Sequence, residues 1–271
     1  MLDLFFKIGL PVLMIGVVTL VNDRFGPAVG GTLGAVPSKG GPVLLFLAIE
    51  QGPSFAAASA AAALGGAGGC GVFCLVYARV CRSVGWPLAA AAAYGAFVAT
   101  WAVMLPISSV GLGAAFVATC AILVISRRLL PEARPSTQHR EAAATNLPAR
   151  MIAGAGMVVF ITTVGPYLGT NISGLLTAIP TVAAVVALFT HAQEGPDRTI
   201  GVMRGWTHGQ VGFAAFLAIL AVALEPLGVA AAFALAAAAV AVIQFIELSS
   251  ALRTRALAAD VEELDLLRAA E

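Results

Sequence analysis

Lys39 and Ser38 stand inside a stretch otherwise fit for a bilayer, "GTLGAVPSKGGPVLLFLAIEQGP", Gly31 to Pro53. A lysine facing lipid at that depth costs roughly 3 kcal/mol or more, so its ammonium must turn toward protein or water. The residues around it loosen a helix. Pro37 and Pro42 each remove a backbone donor, and Gly40 and Gly41 relax the chain between them. The expected outcome is two half-helices meeting at "PSKGGP", with Ser38 suited to cap the second and its first amides pointing into the break. An ammonium, a hydroxyl and a helix N-terminus in one place suit an anion, most simply a carboxylate. Two plainer readings compete. Lys39 could pair with Glu50, Glu194 or Glu247 only to hold helices together, or it could lie in an aqueous loop.

The stretch has a twin. At an offset of 143, without gaps, Gly31–Pro53 faces "GLLTAIPTVAAVVALFTHAQEGP", Gly174–Pro196, and nine of 23 positions are identical. Pro37 matches Pro180, Phe46 matches Phe189, and both copies close on Gly-Pro. The second break, at Pro180, carries Val182 where the first has its lysine. It offers Thr177 and Thr181, with Asn171 and Ser173 upstream, as neutral hydrogen-bonding groups opposite the charge. Glu50, His191 and Glu194 sit at the far ends of the repeated helices. There they suit gating or proton coupling, since a half-dry carboxylate or imidazole titrates near neutral pH. The competing reading makes them solvated helix ends.

The elements that must hold these groups follow from composition. Hydrophobic residues make up 60% of the chain, charged ones 11%, and the mean hydropathy is +0.95. So much apolar material could not be covered by the polar surface available in water. The expectation is an all-α polytopic membrane protein. At about 20 apolar residues per span, nine spans fall near 4–21, 27–49, 54–78, 86–104, 107–126, 151–165, 167–192, 200–223 and 227–247, with Pro106 dividing the fourth from the fifth. Residues 1–126 form a first membrane repeat of about five helices and 127–150 a cytoplasmic linker. Residues 151–247 form a second repeat of about four, and 248–271 an amphipathic tail. Thirteen of the fifteen basic residues then fall on one side. The positive-inside rule makes that side cytoplasmic, with the N-terminus outside. Five spans separate the twin helices, so the copies cross the membrane in opposite directions, as two inverted repeats each with a Pro-broken helix.

The remaining candidates are weaker. Cys70, Cys74 and Cys81 could share a helix face, as a soft-metal or redox site or simply as small packing residues; no His or carboxylate completes a ligand set, and no metal is expected. His208, beside Thr207 and Gln210, reads as a packing histidine. Gln244 and Glu247 read as the water-facing end of the last span. "LGGAGGCG", Leu64–Gly71, permits close helix crossing and is not a phosphate loop.

An inverted repeat with a break in each copy is the pattern of secondary transporters, whose site lies near the midplane. The expected function is a secondary transporter or exporter of a small anionic solute, with a proton gradient as its energy source because no ATP-binding motif is present. The alternatives are a non-transporting scaffold subunit and, more remotely, an intramembrane enzyme, for which no paired carboxylates or zinc motif are found. No cofactor and no nucleic-acid partner are expected; the bilayer, the solute and a homo-oligomer are. The duplicated Gly-x-Leu-x-Ala-[Val/Ile]-Pro element resembles small bacterial inner-membrane proteins, which implies that location. The layout resembles inverted-repeat transporters of the bile-acid and sodium/proton exchanger type; that likeness covers architecture and carries over no functional residue.

Overall fold

The computed structural model describes residues 2–37, 40–134, 147–164 and 178–269. Among them every regular element is a helix: α1 (Leu2–Phe25), α2 (Pro27–Gly34), α3 (Gly40–Glu50), α4 (Pro53–Val80), α5 (Trp86–Val110), α6 (Leu112–Leu129), α7 (Leu147–Val164), α8 (Thr181–Glu194) and α9 (Pro196–Ala269). Four are long and apolar enough to cross a membrane, namely α4, α5, α6 and the Pro196–Ser250 part of α9. That part runs 55 residues, which would be about 80 Å if straight. It bends at Gly228, whose φ of 75° breaks the helix into two limbs. Ile125 and Val117 on α6, Val103 on α5 and Val242 on the second limb of α9 are exposed. Such outward apolar rows suit lipid.

Gly-Pro pairs set several of the boundaries. Gly26, Gly52 and Gly195 take φ of 91°, 94° and 86°, where a Cβ is disfavoured. Each following proline opens the next helix, where no N–H is needed. The boundary expected at Pro106 falls later, at Gly111 (φ 145°). Proline removes one donor, but only glycine accommodates the backbone turn, so α5 runs through Pro106. Pro42 likewise lies inside the first turn of α3; the chain is interrupted before it.

Ionic contacts gather at one end of the bundle. Glu194, at the end of α8, meets Arg150 of α7 at 2.8 Å and Arg198 of α9 at 2.6 Å, and Arg198 reaches Asp23 of α1 at 3.7 Å. Arg82, just past α4, pairs with Asp197, and Arg127 in the last turn of α6 pairs with Glu247 at 3.0 Å. The first residues after α6 are pinned over the same end, because Arg79 donates to the Leu129 carbonyl and Arg204 to that of Pro131. The C-terminal ends of α1, α4, α6 and α8 therefore share a face with the N-terminal ends of α7 and α9. The 28 residues of α4 rise about 42 Å, so Glu50, just before it, belongs to the opposite end. It follows that α3 and α8 run in opposite senses.

Gln244 and Glu247 differ from the expectation of water-facing ends. Gln244 is buried and donates to the Gly209 carbonyl at 3.1 Å; Glu247 is half-buried between Arg127 and His208, 3.2 Å away. The fold-back of the second limb of α9 onto the first brings them there, a contact that hydropathy does not report.

Helix α4 is the buried centre, packed along its glycine-rich middle against α5 and α6. Helices α2 and α9 approach each other backbone to backbone. A Cβ on Gly205 would overlap the Ala28 carbonyl, and one on Gly31 the Val202 carbonyl. Thr32 bridges the pair by donating to the Gly205 carbonyl at 3.2 Å. Small residues let backbones meet where lipid offers no hydrophobic drive to pack. Gly205→Val is expected to cost about 1–3 kcal/mol through overpacking, read as a lower thermal midpoint in detergent; an unchanged midpoint would contradict this contact.

Candidate functional site

Two hydrophobic clusters fill the interior. One, nearer the charged end, contains Phe73, Tyr77, Val182 and Trp206; the other contains Leu44, Leu64, Phe213 and Leu217. A cavity of about 60 Å³ opens where they meet. Its wall takes in both interruptions of the repeated stretch: Val36, Pro37 and Gly40 from the first, and Ile179, Pro180 and Thr181 from the second. Cys70, Trp206, Gln210 and Phe213 complete the parts that matter below. Cys70 lies ten residues before the end of α4, about 15 Å of helix rise from the charged face. Gln210 lies 14 residues into α9, about 21 Å from the same face. The cavity is thus deep in the bundle.

Two helices begin at this cavity, α3 at Gly40 and α8 at Thr181. The first amides of a helix have no intrahelical acceptor and carry its partial positive charge. At the start of α8, the Thr181 N–H bonds the Ile179 carbonyl at 2.8 Å and the Ala184 N–H bonds that of Pro180 at 3.0 Å. No backbone acceptor among the described residues takes the amides of Val182 and Ala183. The break itself is fixed from α4, whose Cys70 thiol donates to the Ala178 carbonyl at 3.2 Å. At the first break the Gly41 N–H bonds the Pro37 carbonyl at 2.9 Å.

Of the residues singled out from the sequence, Pro37, Gly40, Pro180 and Thr181 come together here, with Gly41 adjoining. Ser38, Lys39, Asn171 and Thr177 lie outside the described residues. Glu50, His191 and Glu194 are not in the cavity wall. Glu50 is exposed at the end of α3. His191 is part-buried, its Nδ1 3.3 Å from the hydroxyl of buried Tyr77. Glu194 is not a solvated helix end: it is 7% exposed and held by two guanidinium groups.

Gln210 and Arg150 went unread in the sequence. Gln210 is 3% exposed, and its side chain has no hydrogen-bond partner among the described residues. A lone amide in an apolar run was the available signal, since polar groups at that depth are costly unless used. Arg150 looked like the last residue of a polar linker. It is 1% exposed, bonded to Gln193 and Glu194 and stacked 5.7 Å over the Phe189 ring.

The class that fold and cavity define is a helical protein with, among the described residues, four helices long and apolar enough to cross a membrane. No family model, curated protein or solved structure matches the chain.

Proposed function

We propose that the protein is a proton-coupled secondary transporter or exporter of a small anionic solute. In this reading about nine spans form two inverted repeats in the bacterial inner membrane, with the N-terminus outside and the C-terminus cytoplasmic. The observation that carries it is that two oppositely running helices, α3 and α8, both start at one deep cavity. Half-helix N-termini converging in this way favour negative charge.

Lys39 supplies the cation in this proposal. It stands between Pro37 and Gly40, both in the cavity wall. Two of the three carboxylates weighed as its partners are already engaged, Glu194 by Arg150 and Arg198, Glu247 by Arg127 and His208. The third, Glu50, follows Gly40 by ten residues, about 15 Å along the helix and out of a lysine's reach. Glu194 serves as a latch across α1, α7, α8 and α9, and His191, bonded to Tyr77, as the proton-coupling group.

Opposed copies can be tested by labelling. In a background without the four native cysteines, Glu50→Cys should react with an impermeant maleimide from outside intact cells. Ala192→Cys, exposed near the end of α8, should react only from the cytoplasmic side. Labelling of both from one side would refute the inverted arrangement. For function itself, purified protein in proteoliposomes should accumulate a small carboxylate when a proton gradient is imposed; retention of no anion from a broad panel would reject transport.

A further inference from the structure

Resting on the site just proposed, we infer that its solute is a short-chain monocarboxylate, and that Gln210 binds the carboxylate head. The wall decides the class. Trp206, Phe213, Val36, Ile179 and the two prolines make it predominantly apolar. The uncommitted polar groups it offers among the described residues are few and neutral: the Gln210 amide and the Gly40 and Val182 N–H groups at the starts of α3 and α8. With these groups and the single cation of the site just proposed, a strongly hydrated dianion such as phosphate or sulfate would keep a second charge unpaired and lose more hydration on entry than it regains. A single carboxylate needs fewer partners, and its alkyl part fits the aromatic side of the wall. Size agrees. A water needs about 10–15 Å³ in this measure, so 60 Å³ holds only a few non-hydrogen atoms.

Gln210 is the residue that makes the cavity a built site. A buried amide without a partner is costly, about 1–3 kcal/mol, and the described protein leaves this one facing the cavity at 3% exposure. Its NH2 donates to one carboxylate oxygen while the amide of Val182, also in the wall, donates to the other. Phe213 and Trp206, one on either side of Gln210 along α9, bound the alkyl chain and limit its length.

The test is ligand-induced thermal stabilisation and calorimetric affinity for sodium salts of acetate, propionate, butyrate and octanoate. Propionamide, phosphate and chloride serve as controls. Propionate and butyrate should stabilise the wild type, whereas propionamide, phosphate and octanoate should not. Gln210→Leu should weaken propionate roughly tenfold, the worth of one hydrogen bond at about 1.4 kcal/mol. Gln210→Glu should abolish binding through like charge, and Gln210→Asn should bind better than either. Phe213→Ala should shift the preferred chain to longer carboxylates, a change that a merely structural role would not produce. Stabilisation by phosphate in preference to propionate would overturn the inference, as would an unchanged propionate affinity in folded Gln210→Leu and Gln210→Glu. Propionate binding without flux in proteoliposomes would reject transport and keep this site. Flux of another anion without propionate binding would reject only the monocarboxylate.

Discussion

Lys39→Ala is expected to lower anion affinity roughly 100-fold, with flux falling in step, while the protein inserts and purifies as the wild type does. The size follows from losing charge-assisted hydrogen bonds, where each tenfold is about 1.4 kcal/mol. Folding should be spared because Glu194 and Glu247 have arginine partners of their own and Glu50 lies out of the lysine's reach. A purely structural lysine would do the reverse, lowering the thermal midpoint and leaving the ligand-induced shift intact. Lys39→Arg separates charge from shape. A guanidinium is broader than an ammonium, and a cavity of about 60 Å³ has little room to spare. Roughly a tenfold loss is expected there; full affinity with arginine would mean that charge alone suffices.

The second large effect is on stability. Arg150 and Glu194 form a pair at 2.8 Å with 1% and 7% of their side chains exposed. Breaking such a buried pair from one side typically costs 3–5 kcal/mol, because the abandoned charge stays desolvated. For Arg150→Met the lower part of that range, about 3 kcal/mol, is expected, since Arg198 still reaches Glu194. Arg150→Met combined with Glu194→Gln should recover part of the loss, and the double-mutant cycle measures the coupling. A change under about 0.5 kcal/mol would be the behaviour of an exposed ion pair and would contradict the burial. If this pair latches the charged end, Arg150→Met should also make Thr181→Cys more reactive toward a cytoplasmic thiol reagent.

Much of this architecture could be read from residue types. Pro37 and Pro180 marked the interruptions, and Gly52-Pro53 and Gly195-Pro196 marked helix junctions, because their backbone chemistry is local. Gly111 in place of Pro106 shows the limit of that logic: a proline signals a weakened helix, whereas a glycine is what permits the turn. The buried charges were harder. Glu194 looked solvated because its partner Arg150 lies 44 residues upstream, at the edge of a segment that composition marks as a linker. Glu247 looked terminal because the bend at Gly228 returns it beside His208. Gln210 was visible as a polar residue in an apolar run, but only the approach of the two breaks gives its amide a cavity to face.

Crystals of the wild type grown with 3-bromopropionate would test the central claim most directly, through the anomalous signal of bromine. The account predicts one bromine between the Pro37–Gly40 and Pro180–Val182 segments, with the carboxylate beside Gln210 and the Lys39 ammonium. Bromine found only on outer surfaces, or two helices running unbroken past Pro37 and Pro180, would contradict it.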